Sequence, residues 1–349
     1  MKREFGAQFP LALKGNGTQE FAISWLVHKK ERLPSQWREI SEIQDDWARI
    51  EILAQALCTD RKNEARIGTG KMSGGLRYWI EHHAKAFFQR QSQYLTALKL
   101  YPSLPDLAGF PPGAWALQLP FTLRKPYLSK DDTDFYIIDN PVKKEWVFKV
   151  PYIAPSQWKG ALRAAMVREL VAWWKETEHR DPQAFAHRRF RLALLFGDEK
   201  GEEQGAIKGL SKYLDNIGGD EAAKIFRDKL RAHFRVPKDK PLPHYSGCLH
   251  FYPTFFDRIG LEVINPHDRT TGAGKNPIYF ECVPAGTRGV FSLLYVPLHF
   301  HPSKETARAD LDTITEGILA MLTKYGFGAK TSSGYGVAEV DNIHVVSNI

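Results

Sequence analysis

The segment WALQLPFTL, residues 115–123, has a strict two-residue repeat of large apolar side chains. This alternation predicts a half-buried β-strand with one face toward a core. Pro120 cannot donate to a strand ladder, so we expect the strand to lie at a sheet edge or to carry a bulge at that point. The repeating apolar positions are Trp115, Leu117, Leu119, Phe121 and Leu123.

The segment SQWKGALRAAMVRELVAWWKE, residues 156–176, predicts an amphipathic helix because its apolar residues recur every three or four positions. Residues 183–235 predict a helical, basic insertion. With that insertion set aside, the order after residue 115 is β-α-β-β-α-β, the ferredoxin-like arrangement. The remaining predicted elements are strands at about 247–254, 278–283 and 289–298, a helix at 304–325 and a last strand near 336–346.

A segment rich in Pro and Gly, SLPDLAGFPPGA at 103–114, separates this unit from the upstream chain. Residues 36–59 and 76–99 upstream of it have helical patterns. We therefore expect a mostly helical N-terminal region at 1–112 and an α+β domain of the ferredoxin-like, RRM type at 113–349.

The composition limits the class of protein. The 349 residues carry a net charge of +8, which favours a polyanionic partner without proving one. The three cysteines lie far apart, which argues against a disulfide framework or a zinc site. We find no signal peptide pattern and no apolar run long enough to span a membrane. These features predict a cytoplasmic protein without a membrane partner.

The start of the helix at 156 is a candidate phosphate site. Ser156 is a good N-cap, and Gly160 allows a chain to approach the first turn closely. Lys159 and Arg163 share a helix face next to free N–H groups and the positive end of the helix dipole. The alternative is that both side chains only extend to solvent along an apolar surface.

The second candidate is YGFGAKTSSGYG at 325–336, which lies between a helix and a strand. Glycines expose backbone N–H groups, Lys330 and the hydroxyls can contact phosphates, and Tyr325, Phe327 or Tyr335 could stack on a base. The segment does not match the Walker pattern. A flexible Gly-rich turn is the alternative interpretation.

The loop KDDTDFYIIDN at 130–140 carries clustered carboxylates that would suit a hard cation such as Mg²⁺. An acidic, solvated turn is the simpler interpretation. None of the twelve histidines lies in a recognisable nucleophile motif. The carboxylates of the loop belong to Asp131, Asp132, Asp134 and Asp139.

Five segments in order resemble elements of the RAMP superfamily of CRISPR-associated proteins. The resemblance covers about 115–345 and implies a subunit that binds guide RNA in a type III CRISPR effector complex. The segments are PYIAPSQWKGALR (151–163), LLFGDEKG (194–201), GCLHFYPTFF (247–256), INPHDRTTGAGKNPIYFECVPAGT (264–287) and GFGAKTSSGYG (326–336).

Two interpretations compete within this superfamily. IIDNPVKKEW at 137–146 is similar to a segment of the backbone subunits, in which an aspartate cuts target RNA with a divalent metal. By that resemblance Asp139 would be the catalytic residue and would bind Mg²⁺ or Mn²⁺. The segment 264–287 looks more like the terminal, capping subunit, which binds guide RNA without cleaving it and needs no cofactor to do so.

Two further alternatives remain open. A guide-processing endonuclease that uses no metal would need a histidine beside the Gly-rich loop, and 325–336 contains none. A helical interaction protein unrelated to RNA is the other. The basic segment with Arg188, Arg189 and Arg191 is a candidate contact for RNA or for a neighbouring subunit.

The resemblance implies antiviral defence by a ribonucleoprotein in which base pairing reads the target. A thumb hairpin at about 258–283 would flip a base out of the guide–target duplex. The expected partners are guide RNA, target RNA, and other RAMP and small subunits. The predicted RNA-binding residues are Ser156, Lys159, Gly160, Arg163, Gly328, Lys330, Ser332, Ser333, Gly334 and Tyr335.

Overall fold

The computed structural model describes residues 26, 43–58, 62–68, 75–131, 136–198, 209–265, 277–297 and 302–349. The helices are α1 (Asp46–Leu53), α2 (Lys62–Arg66), α3 (Gly75–His82), α4 (Ala84–Ala97), α5 (Pro155–Glu176), α6 (Pro182–Phe196), α7 (Leu210–Phe234) and α8 (Lys304–Ala320). The strands are β1 (Trp115–Leu123), β2 (Tyr152–Ile153), β3 (Leu249–Phe251), β4 (Thr254–Phe255), β5 (Gly260–Ile264), β6 (Ile278–Cys282), β7 (Arg288–Tyr295), β8 (Ala338–Val340) and β9 (His344–Ser347). None of the described helices is long and apolar enough to cross a bilayer.

The main sheet has the order β3-β7-β1-β8, and β9 also pairs with β1. All of these pairs are antiparallel. Since α5 follows β1, and α8 follows β7, the order is that of a ferredoxin-like sheet whose last strand is split into β8 and β9. The predicted α+β, ferredoxin-like class is therefore confirmed.

Pro120 lies in a central strand, so the edge position, one of the two alternatives expected for β1, was wrong. The other alternative, a bulge, is supported by the pairing, because residues 119–120 of β1 face residues 341–343 between the pairs Gln118–His344 and Phe121–Val340. Residues 115–118 of β1 pair with β9 and residues 121–123 pair with β8. The carbonyl of Pro120 accepts from Asp341 N at 2.9 Å, which shows that this residue faces the split strand. The missing N–H of Pro120 thus falls opposite the break between β8 and β9, where no ladder bond is required.

Helices α5 and α8 cover one face of the sheet. The ring of Trp158 on α5 is fully buried and lies 6.0 Å from Phe121 and 5.0 Å from Phe291 between ring centroids. The two helices approach closely at Gly317, where an added Cβ would lie 2.6 Å from Cγ of Met166. This packing fixes the start of α5 against the middle of the sheet.

The Pro- and Gly-rich segment upstream of β1 packs on the other sheet face. Leu107 is buried in one apolar cluster with Ala116, Leu294 and Val296. Leu104 and Phe110 pack against the same cluster. The segment predicted as a boundary therefore also serves as a cover for the sheet.

The N-terminal region is helical where it is described. Of the predicted helix at 36–59, residues 36–42 and 59 lie outside the described residues. Residues 43–45 are not helical, and α1 begins at Asp46, where Asp45 caps it by accepting from Ala48 N at 2.7 Å. A 3-10 helix, Ala54–Cys58, continues it. The predicted helix at 76–99 is divided into α3 and α4 around His83.

The described residues of the insertion form α6 and α7, as the helical pattern predicted, while residues 199–208 between them lie outside the described residues. Asp181 caps α6 by accepting from Gln183 N at 2.9 Å and from Ala184 N at 3.3 Å. Gly219, with a φ of 83°, marks a kink inside α7. A separate hairpin pairs β5 with β6, and the segment 266–276 between them lies outside the described residues.

Candidate nucleic-acid interface

The helix at the first candidate site begins earlier than predicted. Ala154 is the N-cap, so Ser156 is the second helical residue rather than the cap. Pro155 takes the first helical position, where a missing N–H costs nothing. The side chain of Gln157 completes the cap, since its Oε1 accepts from Ala154 N at 3.0 Å.

The helix start offers few backbone donors. Gln157 N and Trp158 N both donate to the carbonyl of Ala154, at 2.9 and 3.1 Å. Pro155 has no N–H, and the second helical position, held by Ser156, has no carbonyl partner in a preceding turn. Ser156 and Gly160 are both exposed. An anion at this helix start would therefore depend on Ser156 N–H, its hydroxyl and the neighbouring cations.

Lys159 and Arg163 are half-buried and close enough to influence each other. Desolvation, followed by the charge of Arg163, lowers the pKa of Lys159, while Asp198 acts in the opposite direction. The pKa of His250 on β3 is lowered by desolvation and by Lys159. Partly desolvated like charges of this kind gain more from an anion than the same charges in bulk solvent.

The second candidate segment forms a tied loop. Phe327 N donates to Gly336 O at 2.9 Å, and Ala329 N donates to Leu128 O at 2.7 Å. Gly328 has a φ of 89°, and a Cβ there would lie 2.4 Å from Leu128 O. Backbone bonds and close approach thus give this loop a defined shape.

The tip of this loop presents polar groups to solvent. Lys330 is exposed and has a φ of 56°, and its Nζ lies 5.1 Å from the centroid of the Phe280 ring on β6. Ser332, Ser333 and Gly334 are exposed, and Gly328 is exposed at the base of the loop. The hydroxyl of Tyr335 donates to Glu262 Oε1 at 2.9 Å, so the loop tip lies beside the β5–β6 hairpin.

Phe327 cannot stack on a base, because its side chain is 2% exposed and belongs to the core. Its ring lies 4.8 Å from the ring of Trp158, the residue just before Lys159. Tyr325 is also engaged, since its hydroxyl lies 2.5 Å from Glu169 Oε1. The Trp158–Phe327 contact therefore joins the two candidate segments through the core.

Asp139 is exposed, with 66% of its side chain accessible, but it has a cationic partner. Arg66 Nη2 donates to Asp139 Oδ1 at 2.7 Å, and Arg66 Nε donates to Ile137 O at 2.8 Å. Among the described residues no group of three or more metal-ligating side chains is present. Asp132 and Asp134, two of the four carboxylates in the predicted cluster, lie outside the described residues.

A buried polar cluster that the sequence did not indicate holds the Asp139 loop. Glu281 on β6 is 0% exposed and accepts from Lys144 Nζ and from the Tyr136 hydroxyl, each at 2.5 Å. Desolvation and the charge of Glu281 raise the pKa of Tyr136 well above its ordinary value. The Lys144 ammonium also lies 5.3 Å from the ring of Trp47 on α1. The cluster thus joins three segments that are distant in sequence.

The basic segment on α6 is mostly engaged within the fold. Arg189 is 0% exposed, donates to Asp215 Oδ1 at 2.7 Å and is therefore not available to RNA. Arg191 is paired with the buried Asp310. Arg188 is exposed, and its Cζ lies 4.1 Å from the Trp173 ring.

The RAMP superfamily model matches residues 66–339. The chain belongs to the RAMP superfamily. This match confirms the resemblance found in the five segments and extends it into the N-terminal region. A comparison with curated protein sequences returned no match.

Three solved structures share weak similarity with this RAMP protein. A chain of the type III-B Cmr-beta bound to cognate target RNA is 14% identical, with 77% of this chain and 68% of that chain covered and a TM-score of 0.38. Cmr6 from Pyrococcus furiosus is 18% identical, with coverages of 64% and 97% and a TM-score of 0.32. A chain of a CRISPR RNA-guided surveillance complex, pre-nicking, is 14% identical, with coverages of 66% and 77% and a TM-score of 0.34. These scores are too low to support a functional conclusion.

Proposed function

We propose that this RAMP protein is a structural subunit of a type III CRISPR ribonucleoprotein and binds guide RNA. The observation that supports this most directly is the Trp158–Phe327 contact, at 4.8 Å between ring centroids. It packs the start of α5 against the Gly-rich loop, and we infer from this that one RNA backbone contacts both. Membership of the RAMP superfamily supplies the context for that arrangement.

The first phosphate site comprises Ser156, Lys159, Gly160 and Arg163. The two cations supply charge, Ser156 supplies a hydroxyl and the free N–H of the helix start, and Gly160 leaves the approach open. An added Cβ at Gly160 would meet nothing within 4 Å, so the surface beside the first turn is open to an approaching chain. Contacts of this kind grip the backbone and carry no sequence information.

The second phosphate site lies at the tip of the Gly-rich loop. Lys330, Ser332 and Ser333 are exposed donors, and Gly328 and Gly334 supply the backbone shape that presents them. Tyr335 acts from the base of the tip, where it is tied to Glu262. The β5–β6 hairpin beside this tip would serve as the thumb that flips a base out of the guide–target duplex.

In this proposal the target is read by base pairing with the guide, as in other RNA-guided effectors. The subunit acts in the cytoplasm in antiviral defence, at a terminal, capping position. Its partners are guide RNA, target RNA and the other RAMP and small subunits. RNA binding requires no metal or other cofactor.

The test is ultraviolet crosslinking of the tagged full chain, purified from cells that express the complete complex. We expect crosslinked RNA on peptides that cover 156–163 and 326–336, and the bound RNA should be guide RNA. RNA crosslinked only elsewhere, or no bound RNA, would contradict the proposal.

Cleavage of target RNA by Asp139 with Mg²⁺ or Mn²⁺ is the second candidate function. The observation in its favour is that Asn140, the next residue, bridges to Phe280 on β6, whose ring lies 5.1 Å from Lys330 Nζ. Asp139 therefore lies near the proposed RNA path. Arg66 would have to release this carboxylate before it could bind a metal.

Asp139→Ala in the assembled complex tests this second function. If Asp139 cleaves, one cut in the target RNA disappears while target binding persists. Arg66→Ala is the companion variant, since it removes the ion-pair partner of Asp139 and keeps the Asp139 carboxylate. If every cut remains after Asp139→Ala, the subunit does not cleave at this residue.

A further inference from the structure

A trough with a volume of 710 Å³ runs between α5, α6 and α8, and none of its lining residues belongs to either proposed phosphate site. Its floor is apolar and includes Met166 and Leu170 of α5, Leu192 of α6 and Gly317 of α8. Helix α5 packs against both other helices, which stand as walls on either side of it. The trough therefore has the layout of three helices of a bundle with the fourth position open.

The two walls differ in charge. The α8 wall carries Glu305 and Glu316, which are exposed and form no ion pair with any residue that the structure describes. The α6 wall carries Arg188, which is exposed and whose Cζ lies 4.1 Å from the ring of Trp173. Arg191 and Asp310 also line the trough, but they pair with each other across it and so compensate each other.

The spacing of the two glutamates suits a helix as the occupant. They are eleven residues apart on α8, which is three turns and about 16 Å along the axis. A small molecule would not extend over that length. A helix in the open fourth position would pack on α6 and α8 at the usual axis separation of about 8–10 Å and would cover the floor and the Arg191–Asp310 pair with its apolar stripe. The carboxylates also argue against RNA, since they would repel phosphates.

We propose that this trough binds an amphipathic helix of another protein subunit. The helix places apolar residues on the floor, two Lys or Arg residues about eleven positions apart toward α8, and an acidic residue toward Arg188. The inference rests on the proposed function only in taking the chain to be part of a multi-subunit complex. It concerns a surface that the RNA does not use.

The experiment places the photo-crosslinking residue p-benzoylphenylalanine at Thr313, which is exposed, lines the trough and lies between the two glutamates. The tagged full chain is expressed with the complete complex, irradiated and purified, and the crosslinked peptides are identified by mass spectrometry. We expect a crosslink to a segment of another subunit that has an apolar stripe at helical spacing and the two cations described. A crosslink to RNA, to an extended segment or to this chain itself, or no crosslink, would overturn the inference.

Charge variants provide the controls. Glu305→Lys with Glu316→Lys should reduce the crosslink yield about tenfold, because like charges then face each other across the contact. Asp312→Lys reverses one charge on the same helix, as each of the two test substitutions does, at an exposed residue that does not line the trough, and should leave the yield unchanged. Equal losses in both variants would contradict the inference.

Guide RNA in the same preparations separates this inference from the proposed function. If Glu305→Lys with Glu316→Lys loses the protein crosslink but still retains guide RNA, the result supports both the trough inference and the proposed function. RNA present without any protein crosslink at Thr313 overturns the trough alone. A protein crosslink of the expected kind without RNA overturns the proposed function alone.

Discussion

The ammonium of Lys144 and the carboxylate of Glu281 lie 2.5 Å apart in the interior, with 5% and 0% of their side chains exposed. The carboxylate also accepts from the Tyr136 hydroxyl at 2.5 Å and from Val142 N at 3.2 Å. A pair with so many additional bonds is well satisfied, but each partner is costly to leave alone. The pair fixes the loop that carries Asp139 next to β6.

Removing one partner should therefore destabilise the fold strongly. We expect Glu281→Leu to lower the free energy of unfolding by about 3–5 kcal/mol, because the Lys144 charge stays buried without a counterion. The measurement is urea denaturation followed by circular dichroism. The double variant Lys144→Met with Glu281→Gln should recover part of the loss, since the Gln oxygen still accepts from Val142 N and its amide N–H can donate to the Tyr136 hydroxyl oxygen. A single variant as stable as the parent chain would contradict this account.

His250 gives a pH-dependent signal of RNA binding. Desolvation and Lys159 lower its pKa below the ordinary 6.5 in the free protein, so the imidazole is neutral near pH 7. A nearby phosphate would stabilise the charged imidazole and raise this pKa, so binding takes up a proton. We expect RNA affinity to fall as the pH rises through the window between the free and bound pKa values.

Fluorescence anisotropy with labelled guide RNA, titrated at several pH values from about 5.5 to 8, measures this dependence. His250→Gln should flatten it. His187→Gln is the matched control, because the pKa of His187 is also lowered, first by desolvation, but this residue lines the trough. A dependence that survives in His250→Gln would mean that no phosphate binds beside this residue.

At the scale of elements, the Gly-rich loop depends on glycines for two different reasons. Gly336 has a φ of 69°, and a Cβ there would lie 1.9 Å from Phe327 O, inside a closed backbone contact. Gly334 has a φ of 84°, but a Cβ there would meet nothing within 4 Å. Gly336 thus allows close packing of two backbone segments, while Gly334 only allows a left-handed backbone conformation without strain.

We expect Gly334→Ala to lower the free energy of unfolding by about 1–2 kcal/mol, the usual cost of a left-handed residue with a side chain. Gly336→Ala should cost several kcal/mol more, because the loop must open to place the methyl group. It should also weaken RNA binding, since Lys330 and the serines move with the loop. Denaturation curves and anisotropy titrations of both variants are the test, and equal costs would contradict this reading of the loop.

Local patterns predicted the principal elements well. The two-residue repeat of β1 and the helical repeats of α5 and α8 are encoded in consecutive side chains, so the ferredoxin-like order could be read from them. The placement of Pro120 could not, because it depends on a break in a strand more than 200 residues away. Ser156 was misplaced as a cap because Pro155 fits equally well inside the first turn.

The candidate site was only partly predictable. Glycines and cations in the sequence indicated the loop and the helix start. Whether an aromatic side chain in the loop can stack on a base depends on its burial, and the sequence pattern does not show that Phe327 lies in the core. The Arg66–Asp139 and Lys144–Glu281 pairs join residues 73 and 137 positions apart. Such pairs leave no local signal in one sequence.

At the scale of the whole molecule, several of the cations behind the net charge of +8 are engaged in ion pairs within the fold. Arg189 and Lys144 are themselves buried in ion pairs, and Arg191 and Arg66 are paired as well. The cations left for RNA by our proposal are mainly Lys159, Arg163 and Lys330. A small set of phosphate contacts, rather than the overall charge, should therefore set the salt dependence of binding.

The dependence of guide RNA affinity on salt concentration, measured for the full chain with two unrelated guide sequences, tests the central claim most directly. Each phosphate contact on a single strand contributes about 0.7 to the slope of log K against log salt. Lys159→Glu with Arg163→Glu should thus make the slope shallower by about 1.4 and weaken both guides equally. Lys212→Glu with Lys224→Glu, an equal charge change at exposed residues of α7, should leave the slope as it is. An unchanged slope at the helix start, or a loss that depends on the guide sequence, would contradict the account.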